Sequence, residues 1–119
     1  MDTYFDLGEY SFPVTTQSTE AQKWFDRGIL WTYGYNHEEA VACFERAIDA
    51  DPKCAMAHWG AGYASGPNYN MPWDLFDDAG RAAAARAGYT HARKALDLID
   101  GVKGWEAALI HALPTRYPK

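Results

Sequence analysis

The chain has 119 residues, which suggests one domain, and 48% of them are hydrophobic, so a packed core is expected rather than a disordered chain. The formal net charge is −5, with 11 basic residues against 16 acidic ones and no basic run, which argues against a nucleic-acid partner because phosphate backbones require clustered Lys and Arg. Two cysteines are too few for a disulfide framework, and no signal peptide is visible, so we expect a cytoplasmic protein. No apolar stretch is long enough to span a bilayer, so we expect no membrane partner.

The N-terminal part of the chain divides into an arm and a first helix. Residues 1–17 mix aromatic residues with turn formers and have no helical period, so they predict an irregular arm whose aromatic side chains pack on the first helix. Ser18 is a typical N-cap residue, and apolar residues then recur at spacings of three and four. This pattern predicts a helix over residues 18–34.

A second helix follows after a short turn. Asn36 offers a new N-cap, and Glu39 follows at the spacing of a capping box. Apolar residues on one face then predict a helix over residues 37–50, which ends before Pro52 because proline cannot continue a helix.

The remaining elements are also helical. Residues 54–64 predict a third helix and the alanine-rich stretch 77–99 a fourth, separated by a loop rich in Gly, Pro and Asn. Residues 105–113 predict a last short helix, and residues 114–119 form a tail. Because no alternating strand pattern is present, the fold class predicted is all-α.

The first two predicted helices carry small and aromatic residues at a recognisable spacing. The pattern is Trp24-x2-Arg27-Gly28-x2-Trp31, then Ala40-x3-Phe44-x2-Ala47, then Pro52. Residues 21–54 therefore resemble one tetratricopeptide repeat. The small residues suit the close approach of two helices, and the seam of the first helix pair is expected to consist of Trp24, Gly28, Ala40 and Phe44.

The resemblance extends over residues 18–113, as a TPR-like helical domain. A second repeat spans about residues 55–99 with an inserted loop at 66–76, and a partial third repeat begins at residues 105–113. The segments 35–40, 54–60 and 66–70 are similar to the N-terminal part of longer bacterial proteins of this family. The resemblance implies antiparallel helix pairs in a short right-handed solenoid, and it implies no particular chemistry.

In this family the first helix of each pair lines a concave surface. The resemblance therefore implies a non-catalytic scaffold, without a cofactor, that binds a peptide or protein partner there. The aromatic and nearly uncharged character of the surface favours apolar or extended segments. The residues expected to contact the partner are Gln22, Phe25, Ile29, Thr32, Met56, Trp59 and Tyr63 on the helices and Asn68, Tyr69, Asn70 and Trp73 on the inserted loop.

Two other functions stay open. Cys54 and His58 are four residues apart on one predicted helix face and, with His37 as a third ligand, could bind zinc or copper or form a thiol-based sensor. The simpler interpretation is that Cys54 is a small buried residue and that His58 replaces the usual aromatic residue of the repeat. His91 and His111 lie on different helices, and nothing in the sequence brings them together.

The second alternative is an oligomerisation module. Repeats of this kind bury one another's faces, and about three are needed for stability, whereas this chain has two and a fragment. We therefore expect either self-association through the helix at residues 105–113 or a continuation of the chain in a longer protein.

Overall fold

A computed structural model describes residues 12–34, 36–65, 78–102 and 104–116, with the backbone alone for 78–81 and 115–116. This part of the chain contains helices and no strand, so the all-α prediction is confirmed for it. The α-helices are α1 (Thr19–Tyr33), α2 (His37–Ala50), α3 (Ala55–Ser65), α4 (Asp78–Asp97) and α5 (Gly104–Ala112). Short 3-10 helices follow α4 and α5, at Ile99–Gly101 and Leu113–Arg116.

The first two helices begin at the caps that the sequence predicts. The Ser18 hydroxyl accepts a hydrogen bond from the backbone N–H of Ala21 at 3.0 Å. The Asn36 side chain accepts one from the N–H of Glu39 at 3.2 Å. Each cap satisfies a backbone donor that the first turn of a helix leaves without an intrahelical acceptor, which fixes where the helix starts.

The helices pack mainly against their neighbours in sequence. α1 packs on α2, α2 on α3 and α3 on α4, whereas α1 and α3 share a smaller contact, and α5 contacts α3 and α4. The prediction of packed helix pairs is therefore confirmed for α1 with α2 and for α3 with α4. Among the described residues, none of the helices combines the length and the apolarity needed to cross a bilayer.

Phe44 of α2 lies at the centre of the core, between two glycines. A Cβ atom built on Gly28 of α1 would lie 2.6 Å from Phe44 Cε1, and one built on Gly60 of α3 would lie 2.5 Å from Phe44 Cδ1. Side chains larger than hydrogen would overlap the ring at both positions. Glycine therefore allows α1 and α3 to close on the Phe44 ring, which is almost completely buried.

The predicted seam of the first helix pair is largely present. Gly28, Ala40 and Phe44 are buried between α1 and α2. Trp24 differs because it is only half-buried, and the guanidinium groups of Arg27 and Arg46 lie 4.5 and 4.6 Å from its ring centroid. Trp24 therefore covers the edge of the seam and makes cation–π contacts there.

The segment before α1 lies along that helix. The Gln22 side chain accepts a hydrogen bond from the Val14 N–H at 3.0 Å and donates one to the Phe12 carbonyl at 2.8 Å. The Phe12 ring contacts the rings of Phe25 and Trp105, with centroids 6.3 and 5.3 Å apart. Phe12 thus packs on the first helix, as expected of an aromatic residue of the N-terminal arm.

The same segment is tied to α5 through a buried carboxylate. Glu106 is completely buried, and its two oxygens accept hydrogen bonds from the Thr15 N–H at 2.9 Å and from the Thr15 hydroxyl at 2.6 Å. The Thr16 hydroxyl also donates to Asp51, at the end of α2. The two bonds from Thr15 provide Glu106 with the partners that a buried carboxylate requires.

Candidate functional site

The part of the predicted partner-binding surface that α1 was expected to supply is largely in the core. Phe25 is 0% exposed, because Phe12 covers it from the N-terminal segment and Phe44 packs on it from α2 with ring centroids 5.4 Å apart. Ile29 is also buried. The expectation that Phe25 and Ile29 contact a partner is therefore wrong. Thr32 is half-buried, and its hydroxyl donates to the carbonyl of Gly28 at 2.8 Å.

Met56 of α3 is likewise a core residue. Eight of the eleven residues of α3 are buried, since α2 and α4 both pack on this helix. Met56 is completely buried among them, so the expectation that it contacts a partner is also wrong. A helix that is apolar nearly all round gives no sequence signal that distinguishes a binding face from a core face.

Two other predicted residues of α3 do reach the surface. The rings of Trp59 and Tyr63 are stacked, with centroids 5.4 Å apart and an angle of 26° between their planes. Tyr63 is 39% exposed and Trp59 is half-buried. Trp59 Nε1 donates a hydrogen bond to the carbonyl of Leu109 at 3.1 Å, so this indole also links α3 to α5.

α5 adds two exposed apolar side chains beside that link. Trp105 is 41% exposed and Leu109 is 36% exposed, and their spacing of four residues places both on one face of the helix. We define the α3–α5 surface as the side chains of Trp59, Tyr63, Trp105 and Leu109. Trp105 and Leu109 were not among the predicted contact residues, since the sequence does not reveal where the short last helix packs.

The remaining predicted contact residues belong to the inserted loop. Asn68, Tyr69, Asn70 and Trp73 lie outside the described residues.

The three-ligand metal site predicted from Cys54, His58 and His37 is not formed. Among residues 12–34, 36–65, 78–102 and 104–116, no three His, Cys, Asp or Glu side chains come together as a metal site requires. Cys54 is completely buried before the start of α3, and burial raises the pKa of its thiol. A metal site formed by Cys54 and His58 alone stays a prediction.

The structure instead brings together two histidines that no pattern in the sequence links. His58 of α3 and His91 of α4 have ring centroids 6.0 Å apart, with 36° between the ring planes. The ring of His58 also makes a 2.9 Å hydrogen bond through Nε2 to the carbonyl of Pro52. Burial lowers the pKa of both imidazoles, so both are mainly neutral at pH 7. Because these residues are 33 positions apart, only the packing of α3 on α4 reveals the pair.

Comparison with protein-family models, with curated proteins and with solved structures gives no match for this chain. Inference about its function therefore depends on the geometry of its own residues.

Proposed function

We propose that the chain is a non-catalytic helical scaffold of the tetratricopeptide type, which binds an apolar segment of another protein on the α3–α5 surface. The observation that carries this proposal is the stacked pair of Trp59 and Tyr63, whose indole is bonded to the backbone carbonyl of the exposed residue Leu109. Tyr and Trp are enriched at protein interfaces because they bring large contact areas and lose few rotamers when they are ordered.

The repeat assignment is supported by two glycines, 34 residues apart, that both lie at close approaches between helices. Gly28 lies where α1 meets Phe44 of α2. Gly62, 34 residues later, lies where α3 meets Leu113 and α4, and a Cβ built there would be 3.0 Å from Leu113 Cδ2, 3.3 Å from His91 Cβ and 3.4 Å from the Ala92 nitrogen. A close helix approach that recurs after 34 residues is what tandem repeats of this length require. Packing mainly between successive helices is also typical of a solenoid.

The choice of surface is supported by which side chains remain accessible. On α1 the expected contact residues Gln22 and Phe25 are engaged by residues 12 and 14 of the chain itself and Ile29 is buried, whereas Tyr63, Trp105 and Leu109 stay exposed. None of the four side chains that define the α3–α5 surface carries a formal charge. The proposed ligand is therefore an apolar peptide segment rather than an acidic tail, which would need Lys or Arg partners.

The two alternative functions gain unequal support. Self-association would use the same surface, since α5 contributes half of its side chains. A thiol sensor based on Cys54 is disfavoured, because sensor cysteines are accessible thiolates and this thiol is buried with a raised pKa.

The binding test uses random peptides displayed on phage and selected on the immobilised chain. Selected peptides are then titrated against the protein in solution, with tryptophan fluorescence as the signal. We expect Trp59→Ala to weaken binding by about 2 kcal/mol and Tyr63→Ala by about 1 kcal/mol or more, as interface aromatics typically do. The matched control is Tyr33→Ala, which removes a more exposed tyrosine from α1 and should leave the affinity unchanged.

Two outcomes contradict the proposal. One is a failure to select any apolar peptide. The other is a set of peptides that bind wild type, Tyr63→Ala and Trp59→Ala equally. If a second copy of the chain occupies the α3–α5 surface instead, sedimentation at increasing protein concentration should show a dimer. Leu109→Glu should then abolish that dimer.

A further inference from the structure

The hydrogen bond of His58 determines which of its nitrogens carries the proton. The Pro52 carbonyl can only accept, so Nε2 must donate across the 2.9 Å contact. Burial lowers the pKa of His58 and keeps the ring neutral at pH 7. A neutral imidazole with its proton on Nε2 presents a lone pair on Nδ1, which is the form that binds a metal ion.

Nδ1 of His58 is buried, and no donor among the described residues forms a hydrogen bond with it. The residue as a whole is 6% exposed. A buried acceptor without a donor is unfavourable, and a bound cation would remove that penalty. Histidines that bind metals commonly donate their other N–H to a backbone carbonyl, as His58 does to Pro52.

His91 lies at a distance that allows both rings to bind one ion. With a zinc–nitrogen bond of about 2.0–2.1 Å, each ring centroid lies about 3.2 Å from the metal, so two ligand centroids can be up to about 6.4 Å apart. The observed separation is 6.0 Å. In a tetrahedral site the two ring centroids would be about 5.2 Å apart. The half-buried His91 side chain would therefore have to move about 0.8 Å closer to His58.

We propose that His58 Nδ1 and a ring nitrogen of His91 together bind one divalent zinc-type ion between α3 and α4. Water completes the coordination shell on the side of His91, which is only partly buried. Imidazole nitrogen suits zinc and its neighbours among the transition metals better than calcium or magnesium. The site differs from the one predicted from the sequence because it joins two helices and does not involve Cys54 or His37.

The test measures zinc binding to the full, untagged, reduced chain by isothermal titration and by equilibrium dialysis with zinc sulfate. We expect one equivalent of zinc for wild type and an affinity lower by about tenfold or more for His91→Gln, the loss typical for damage to a metal site. His111→Gln changes an exposed histidine of α5, and Cys54→Ala removes the thiol nearest in sequence to His58. Both control variants should bind zinc as wild type does.

A second measurement avoids any dependence on how the variants fold. In wild-type protein labelled with ¹⁵N histidine, saturation with zinc should shift the His58 Nδ1 resonance strongly and leave Nε2 protonated. The proposal is overturned if His91→Gln binds zinc as tightly as wild type, if only Cys54→Ala loses binding, or if zinc leaves the His58 nitrogens unchanged.

Discussion

The fit of Phe44 between two glycines predicts that Gly60→Ala destabilises the protein, although alanine is the better helix former. The new Cβ would lie 2.5 Å from both Cδ1 and Cε1 of Phe44, whereas ordinary carbon contacts lie at 3.4–4 Å. The ring cannot move toward α1, because there it already meets the backbone at Gly28. Either α3 moves away from α2 or the ring leaves its preferred rotamer.

The expected magnitude follows from two opposing effects. Overpacking a filled core costs about 1–3 kcal/mol, and the overlap on a confined ring places this site at the upper end. Replacing glycine by alanine within a helix recovers up to about 1 kcal/mol. The net loss should be about 1–2 kcal/mol in the free energy of unfolding, measured by urea denaturation, or roughly 4–8 °C in Tm.

A control variant and a double variant separate the steric overlap with the Phe44 ring from other effects of replacing glycine by alanine. Gly104→Ala introduces the same methyl group at a position that has open space among the described residues, so it should not destabilise the protein. Combining Gly60→Ala with Phe44→Leu should cost at least about 0.5 kcal/mol less than the sum of the single changes, because the smaller side chain accepts the methyl group. A Gly60→Ala variant as stable as wild type would refute the packing of Phe44 described above.

Two further outcomes follow from buried polar groups. Glu106→Ala leaves the Thr15 N–H without its acceptor and should cost about 1–3 kcal/mol, with faster hydrogen exchange at Thr15 as the specific readout. Burial lowers the pKa values of His58 and His91 below their unfolded value of 6.5, so the unfolded chain takes up protons first as the pH falls. The contribution of these two histidines to the free energy of unfolding of metal-free protein should therefore be present above about pH 6.5 and be lost as the pH falls below it, and His58→Gln should reduce that slope in pH-dependent urea denaturation.

Local signals in the sequence predicted the helices well. Ser18 and Asn36 act as the N-caps expected from their side chains, and α2 ends before Pro52. Gly28 and Phe44 meet as the repeat spacing predicts. Each of these features depends on residues close in sequence or within one pair of helices, so it can be inferred without knowing how the whole chain folds.

The errors in the candidate site arose from contacts between distant parts of the chain. The repeat pattern predicts Phe25 on an open surface, but Phe12 from the segment before α1 packs on it and it is buried. The contact between His58 and His91 depends on how α3 meets α4, and the Trp59 bond to Leu109 depends on where α5 packs. A helical period identifies the apolar face of a helix but does not tell which partner covers it.

The bond between Thr15 and Glu106 has a consequence for how the protein unfolds. A stack in which each helix contacts mainly its neighbours can lose a terminal helix while the rest stays folded. Here the two bonding residues are 91 positions apart, so the N-terminal segment and α5 hold each other in place. If α5 detaches, Glu106 is exposed and Phe12, which covers Phe25, loses its contact with Trp105. Loss of α5 therefore also weakens the packing of the N-terminal segment. We therefore expect the N-terminal segment and α5 to unfold together rather than one after the other.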